Sequence, residues 1–193
     1  MNFAEIGLHA AILKALTDSG YSEPTPVQQQ AIPPAIEGRD LMVSSQTGSG
    51  KTAAFMLPAL HRFALQERPV AAPRPSERGA TRPRGHDRQR FQAAQPRMLV
   101  LTPTRELALQ VTAATEKYGR QLHHVRAVAI LGGMPYPKQM ELLGRNPEIL
   151  VATPGRLIDH MSSGKIDFSQ LQILVLDEAD RMLDMGFIED IER

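Results

Sequence analysis

The feature that most restricts the fold of this chain is an alternation. Short runs of branched apolar residues, each closed by a turn or cap residue, are separated by longer stretches with helical spacing. The runs are Leu41–Val43, Met98–Leu101, Ala127–Leu131, Ile149–Ala152 and Ile173–Leu176. Each is too short for a helix and lacks polar alternation, which is how strands buried on both faces of a parallel sheet read. Between them, Lys51–Leu65, Arg105–Leu122, Tyr136–Leu143 and Gly155–Met161 carry apolar residues at helical intervals. This order predicts a doubly wound α/β domain, a mostly parallel sheet with helices on both faces. Two more helices are predicted ahead of the first strand, near Leu8–Asp18 and over Pro26–Glu37. The second opens on Thr25-Pro26, a cap residue followed by proline at the first helical position. There is no internal repeat.

A length of 193 residues suits one domain with a substantial core. Hydrophobic residues at 42% and charged residues at 22% are ordinary globular usage, which excludes disorder throughout. The absence of cysteine excludes a disulfide scaffold, a Cys-based zinc site and a thiol nucleophile, and suits a reducing compartment. Met1–Glu5 has neither a basic start nor an apolar core, and no apolar run approaches the ~20 residues of a membrane span. The expectation is a soluble cytoplasmic domain with no membrane partner. The net charge of +1 conceals one asymmetry: residues 66–95 hold seven arginines against Glu67, Glu77 and Asp87. Residues 66–97 also carry many prolines and few large apolar groups, so the segment reads as a flexible insertion. A solvated linker and an arm that attracts RNA are both open readings of it.

The run Leu41–Val43 continues into Ser44-Ser45-Gln46-Thr47-Gly48-Ser49-Gly50-Lys51-Thr52. Gly48 and Gly50 let backbone N–H groups turn inward to form an anion nest, and a helix N-terminus follows at Lys51. In this setting Lys51 reaches the β- and γ-phosphates of a nucleotide, and the Thr52 hydroxyl is a ligand for Mg²⁺. Ser45 departs from the phosphate-loop pattern, standing where it has its first glycine. A second signal closes the last apolar run: Ile173-Leu174-Val175-Leu176-Asp177-Glu178-Ala179-Asp180. A strand ending in Asp delivers a carboxylate to the sheet's C-terminal edge, where open α/β sheets bind ligands. Asp177 is placed to hold Mg²⁺, and Glu178 to orient and deprotonate a water attacking the γ-phosphate. A solvated acidic strand end is the competing reading; it loses ground once the same chain carries a phosphate loop. The histidines show no metal-ligand spacing.

Asp177-Glu178-Ala179-Asp180 spells the signature of the DEAD-box RNA helicases, and the chain resembles that family through further segments in the family's order. Gly20-Tyr21-Ser22-Glu23-Pro24-Thr25-Pro26-Val27-Gln28 resembles the Q motif, with Phe3 at its upstream aromatic position. Ser45–Thr52 resembles motif I, where the family commonly has Ala at the Ser45 position. Pro103-Thr104-Arg105-Glu106-Leu107-Ala108 resembles motif Ia, Gly132-Gly133 the GG motif and Thr153-Pro154-Gly155-Arg156 motif Ib. The wording of residues 180–187 is similar to the bacterial RhlE-like branch.

The resemblance implies a RecA-like P-loop NTPase domain, C-terminally truncated, with ATP and Mg²⁺ as cofactors and RNA as partner. Gln46, Thr47, Gly48, Ser49, Gly50, Lys51 and Thr52 would cradle the nucleotide, with Lys51, Asp177 and Glu178 carrying catalysis. Gln28 would read adenine through its amide, which is both donor and acceptor. Tyr21 or Phe3 would pack against or support the base, ordinary core packing being the alternative for each. Pro103, Thr104, Arg105, Gly132, Gly133, Thr153, Pro154, Gly155 and Arg156 would grip RNA phosphates and 2′-hydroxyls without reading sequence. For Arg105 and Arg156 a surface ion pair is the alternative. Residues 1–193 then form the first helicase domain, with 1–37 as a helical extension and 66–97 as the insertion. A second RecA-like domain would lie outside this chain, leaving the fragment inactive by itself. The implied activity is ATP-dependent separation of RNA duplexes or remodelling of RNA–protein complexes; a P-loop kinase and a non-catalytic RNA-binding module are the alternatives. A RecA-type strand order further implies a slot between the strands ending at Ser44 and Asp177.

Overall fold

A computed structural model describes residues 2–66 and 92–192. A 3₁₀ turn over Phe3–Ile6 is followed by α1 (Ala10–Asp18), α2 (Pro26–Ile36) and α3 (Lys51–Leu65). Then come β1 (Met98–Leu101), α4 (Arg105–Tyr118), β2 (Ala127–Ile130), α5 (Tyr136–Gly144), β3 (Ile149–Ala152), α6 (Pro154–Ser162), β4 (Ile173–Leu176), α7 (Ala179–Asp184) and α8 (Ile188–Ile191). The four strands form one parallel sheet in the order β2-β3-β1-β4. Its register sets Ile130, Ala152, Leu101 and Leu176 abreast at the C-terminal edge.

The alternating side chains of the inner strands serve two cores. Met98, Val100, Ile149 and Val151 pack with Ile12, Leu16, Ile32, Leu57, Leu60 and Phe63 of α1 to α3. Leu99, Leu101, Leu150 and Ala152 face the other way, onto Leu143, Leu157 and Met182. Apolar burial at ~25 cal/mol per Å² on both faces drives the layering, so helices cover both faces as expected. No described helix is long and apolar enough to cross a membrane.

Three expectations are corrected. Leu41–Val43 is not a strand: it lies outside every ladder, with Met42 fully exposed and Leu41 and Val43 at 44% and 41%. A strand needs a backbone partner, and no ladder or bridge among the described residues includes this segment. Among the described residues no ladder joins it to Ile173–Leu176, whose sole strand neighbour there is β1. The second correction concerns β4: Leu174 and Leu176, which by register share a face with Leu99 and Leu101, are exposed, because the described residues do not cover that face of the strand. Third, the insertion is narrower than 66–97. Ala94 bridges Ile166, Gln95 donates from its backbone to Asn146 and from its side chain to Asp167, and Arg97 is buried over the Phe63 ring. Arg97 Nη1 also donates to Gln66 Oε1 at 3.1 Å, so the residues flanking the Arg- and Pro-rich segment meet. Positions 67–91, which carry the rest of that segment, lie outside the described residues.

Candidate functional site

The phosphate loop closes on itself. Lys51 Nζ donates to the Ser45 carbonyl at 2.6 Å, and the Ser45 and Ser49 hydroxyls share a 2.6 Å hydrogen bond. Serine at the unusual position therefore contributes a tie across the loop that glycine or alanine lacks. Gly48 and Gly50 have φ of 78° and 93°, the left-handed backbone open to glycine at little cost. Gln28, 7% exposed, ties α2 to this loop: its Oε1 accepts from the Thr25 N–H at 3.0 Å and its Nε2 donates to the Gly50 carbonyl at 3.1 Å. A Cβ on Gly50 would stand 2.3 Å from Gln28 Nε2, so glycine is also required by close approach. One amide N–H and one lone pair of Gln28 remain for a ligand.

Asp177 and Glu178 follow β4 directly. Asp177 is 8% exposed, and its backbone N–H donates to the Leu101 carbonyl at 2.9 Å. Burial raises its carboxyl above the ordinary range, Glu178 pushes it further, and the Lys51 ammonium opposes both. The phosphate-loop lysine and the strand-end carboxylate are thus within electrostatic reach, as the two motifs demand. Glu178 sits at φ 51°, ψ 51°, the left-handed region that costs a non-glycine residue ~1–2 kcal/mol. Its carboxylate accepts from Arg181 at 3.3 Å on the surface.

The aromatic candidates differ in exposure. Phe3 is 5% exposed and packs in the core with Leu8, Ile12 and Ile32. Tyr21 is 42% exposed; Lys117 lies 4.6 Å from its ring centroid, and Tyr118 meets it edge-on at 6.1 Å. Burial, with Tyr21 adding to it, pushes the Tyr118 phenol up to about 12.

The residues expected to grip RNA converge. Pro103, Thr104, Arg105, Gly132, Gly133, Thr153, Gly155 and Arg156 line one open cavity of about 630 Å³. They follow β1, β2 and β3, so the parallel register carries them to one edge. Thr104 caps α4, accepting from the Leu107 N–H at 3.3 Å, and Thr153 precedes α6; both helix N-termini present unpaired N–H groups there. Gly133, at φ 76°, lies under Arg105, whose Nη1 is 2.6 Å from where a Cβ would stand. Arg156 makes a long contact with Asp159, at 3.9 Å. Pro154 is buried at the first position of α6 and does not line the cavity. Phe187 does line it and had no role in the sequence reading; Gly186, at φ 81°, turns the chain back to bring it there. Its sequence signal was the Gly-Phe pair that ends the branch-like segment.

A family model, DEAD/DEAH box helicase, matches residues 25–193. Among curated proteins, the ATP-dependent RNA helicase DeaD of Klebsiella pneumoniae is 45% identical over 190 residues, covering 98% of this chain and 26% of the relative. The DeaD helicase of Escherichia coli is 44% identical with the same coverage. The chain thus spans about a quarter of the length of these relatives. Among solved structures, the RNA-helicase Prp28 from Chaetomium thermophilum bound to ADP superposes with a TM-score of 0.80 at 38% identity, covering 99% of this chain and 41% of that one. A hypothetical ATP-dependent RNA helicase from Sulfolobus tokodaii gives 0.75 at 36% identity, covering 96% and 46%. The RhlE-like branch receives no specific support from these relatives.

Proposed function

Since the chain belongs to the DEAD/DEAH box helicase family, we propose that it is the ATP-binding domain of an RNA-dependent ATPase that separates RNA duplexes or remodels RNA–protein complexes in the cytoplasm. The observation that supports this reading is one cavity lined by Thr104, Arg105, Gly133, Thr153 and Arg156 beyond the ends of β1, β2 and β3, in a chain whose phosphate-loop lysine acts electrostatically on Asp177 at the end of β4. Lys51 leaves the Ser45 carbonyl to meet the phosphates, and Gln28 offers its remaining amide positions to the adenine edge. Tyr21 is the exposed aromatic available to the base, while Phe3 supports α1 and α2 from the core.

The buried Asp177 carboxylate, raised by desolvation, gains from a neighbouring cation, and with Thr52 it would hold Mg²⁺, which supplies charge neutralisation at the phosphates. Glu178 takes a proton from the attacking water. Arg105 and Arg156, with the N-termini of α4 and α6, hold RNA phosphates without selecting sequence. A second RecA-like domain of the intact protein is the partner that completes both sites.

ATP turnover of the intact protein with and without RNA, beside Glu178→Gln, tests this. RNA should raise phosphate release, and Glu178→Gln should bind nucleotide yet lose ~10²-fold or more of the turnover. Undiminished turnover in Glu178→Gln removes its assigned role. Stimulation by a small metabolite in place of RNA favours the kinase alternative.

A further inference from the structure

Two polar side chains outside every motif are completely buried between α5 and α6. Gln139 and His160 are each 0% exposed. The Gln139 amide Nε2 donates to two carbonyls, Leu131 at 3.3 Å and Met134 at 2.7 Å. These carbonyls flank Gly132-Gly133, whose turn is closed by the Met134 N–H donating to Leu131 O at 3.3 Å. Two acceptors at Nε2 fix which way the amide points, so Oε1 faces His160 Nε2 at 3.0 Å. His160 must then carry its proton on Nε2. The other ring nitrogen, Nδ1, is buried without a partner, and the Tyr136 ring stacks on the imidazole at 5.0 Å.

This arrangement is costly for mere packing. Two aliphatic side chains of similar size would fill the space without desolvating an amide and an imidazole or orphaning a ring nitrogen. What the polar pair supplies is direction. His160 lies one helical turn after Arg156 on α6, so the two share a face. From His160 the bridge runs through Gln139 to both carbonyls of the glycine turn, and Gly133 lies directly under Arg105. We propose that Gln139 and His160 are positioning residues for RNA: a buried hydrogen-bonded bridge that holds the Gly132-Gly133 turn in register with Arg105 and Arg156. The inference rests on reading the cavity as the RNA site. Neither residue touches RNA.

The test is made on the intact protein, with a fluorescent single-stranded RNA oligonucleotide followed by anisotropy and a fluorescent ATP analogue titrated without RNA. Gln139→Met and His160→Leu should each weaken RNA binding by about ten-fold, the worth of a lost buried hydrogen bond, while nucleotide affinity stays within about two-fold. The double variant should be no weaker than the worse single variant, because the two act as one unit. His160→Gln, whose amide N–H can replace Nε2–H, should bind RNA within about two-fold of the unchanged protein; it tests the bridge even if His160→Leu fails to fold. RNA affinity unchanged in folded Gln139→Met, or RNA and nucleotide affinities falling together, overturns the proposal. So does a ten-fold loss in His160→Gln. Arg105→Ala separates the two levels: if it weakens RNA binding while Gln139→Met does not, the bridge alone fails. If Arg105→Ala is also without effect, the reading of the cavity fails and the bridge with it.

Discussion

The two candidate sites are held in place by different means. On the side proposed to grip RNA, Thr104-Arg105, Gly132-Gly133 and Thr153 follow β1, β2 and β3, whose last residues Leu101, Ile130 and Ala152 stand abreast in continuous ladders. On the phosphate side, Ser44–Gly50 follows a segment with no ladder among the described residues, and its loop is secured by side chains: Gln28 to Gly50, Lys51 to Ser45, Ser45 to Ser49. Backbone ladders distribute the load over many bonds, each worth ~0.5–1.5 kcal/mol net. Side-chain ties concentrate it. The phosphate loop should therefore respond far more sharply to one substitution than the edge formed by β1, β2 and β3.

Gly50→Ala should give the largest effect. The new Cβ would stand 2.3 Å from Gln28 Nε2 with the backbone at φ 93°, so Gln28 must leave its buried position and release the Thr25 cap. Left-handed strain of ~1–2 kcal/mol together with a lost buried hydrogen bond amounts to about a hundred-fold in nucleotide affinity. RNA affinity measured without nucleotide should stay within about two-fold; an equal loss for both ligands would break the contrast. Gly133→Ala is the counterpart. The obstacle is Arg105 Nη1, the tip of a flexible side chain, so the guanidinium is displaced, while φ 76° adds backbone strain. RNA affinity should fall about ten-fold, the worth of one charged contact and some strain, with nucleotide binding unaltered. Thr104→Ala removes the α4 cap at 3.3 Å and should cost ~1 kcal/mol of stability, seen as a lower denaturation midpoint.

The same contrast explains what the sequence could reveal. Met98–Leu101, Ile149–Ala152 and Ile173–Leu176 form strands with the expected bounds, and α3 runs from Lys51 to Leu65 as its spacing predicts. Yet Ile149-Leu150-Val151-Ala152 and Ile173-Leu174-Val175-Leu176 are nearly the same word, and only the first is buried on both faces. The difference is not the number of neighbours in the sheet, since β2 also stands at an edge and is buried; it is that the described residues leave one face of β4 uncovered, a non-local property that composition does not record. Leu41–Val43 fails for a non-local reason too: it has strand residues and no described partner. The cavity was legible because its residues stand directly after strands, where register delivers them. Phe187 was not, since it arrives through the reversal at Gly186. Gln139 and His160 were not either, because a pair 21 residues apart meets only in the fold.

The smallest expected effect compares one buried or half-buried histidine from each half. His61, on the phosphate-loop helix α3, accepts the His9 backbone N–H at Nδ1, 3.0 Å away; burial lowers its basicity and His9 lowers it further. His160, behind the glycine turn, is lowered chiefly by burial, with Arg156 and Lys165 acting in the same direction and Asp159 against them. Protonating His61 removes the lone pair that holds His9, whereas protonating His160 places an N–H where nothing accepts it. In both cases the folded value lies below that of the unfolded chain, about 6.5. Between the two values the unfolded state holds the extra proton, so stability is complete above pH ~6.5 and declines as pH falls through the window below it. Asp177 works the other way, its raised carboxyl gaining from acid, so the histidine contribution is read as a difference between proteins. His160→Gln should flatten part of the decline in melting temperature between about pH 7 and 5.5, and His61→Gln another part, the two adding because the sites share no partner. A melting temperature whose acid decline is unchanged in both variants would place the titrating groups elsewhere. A decline abolished by His160→Gln alone would place the acid sensitivity in the half behind the Gly132-Gly133 turn.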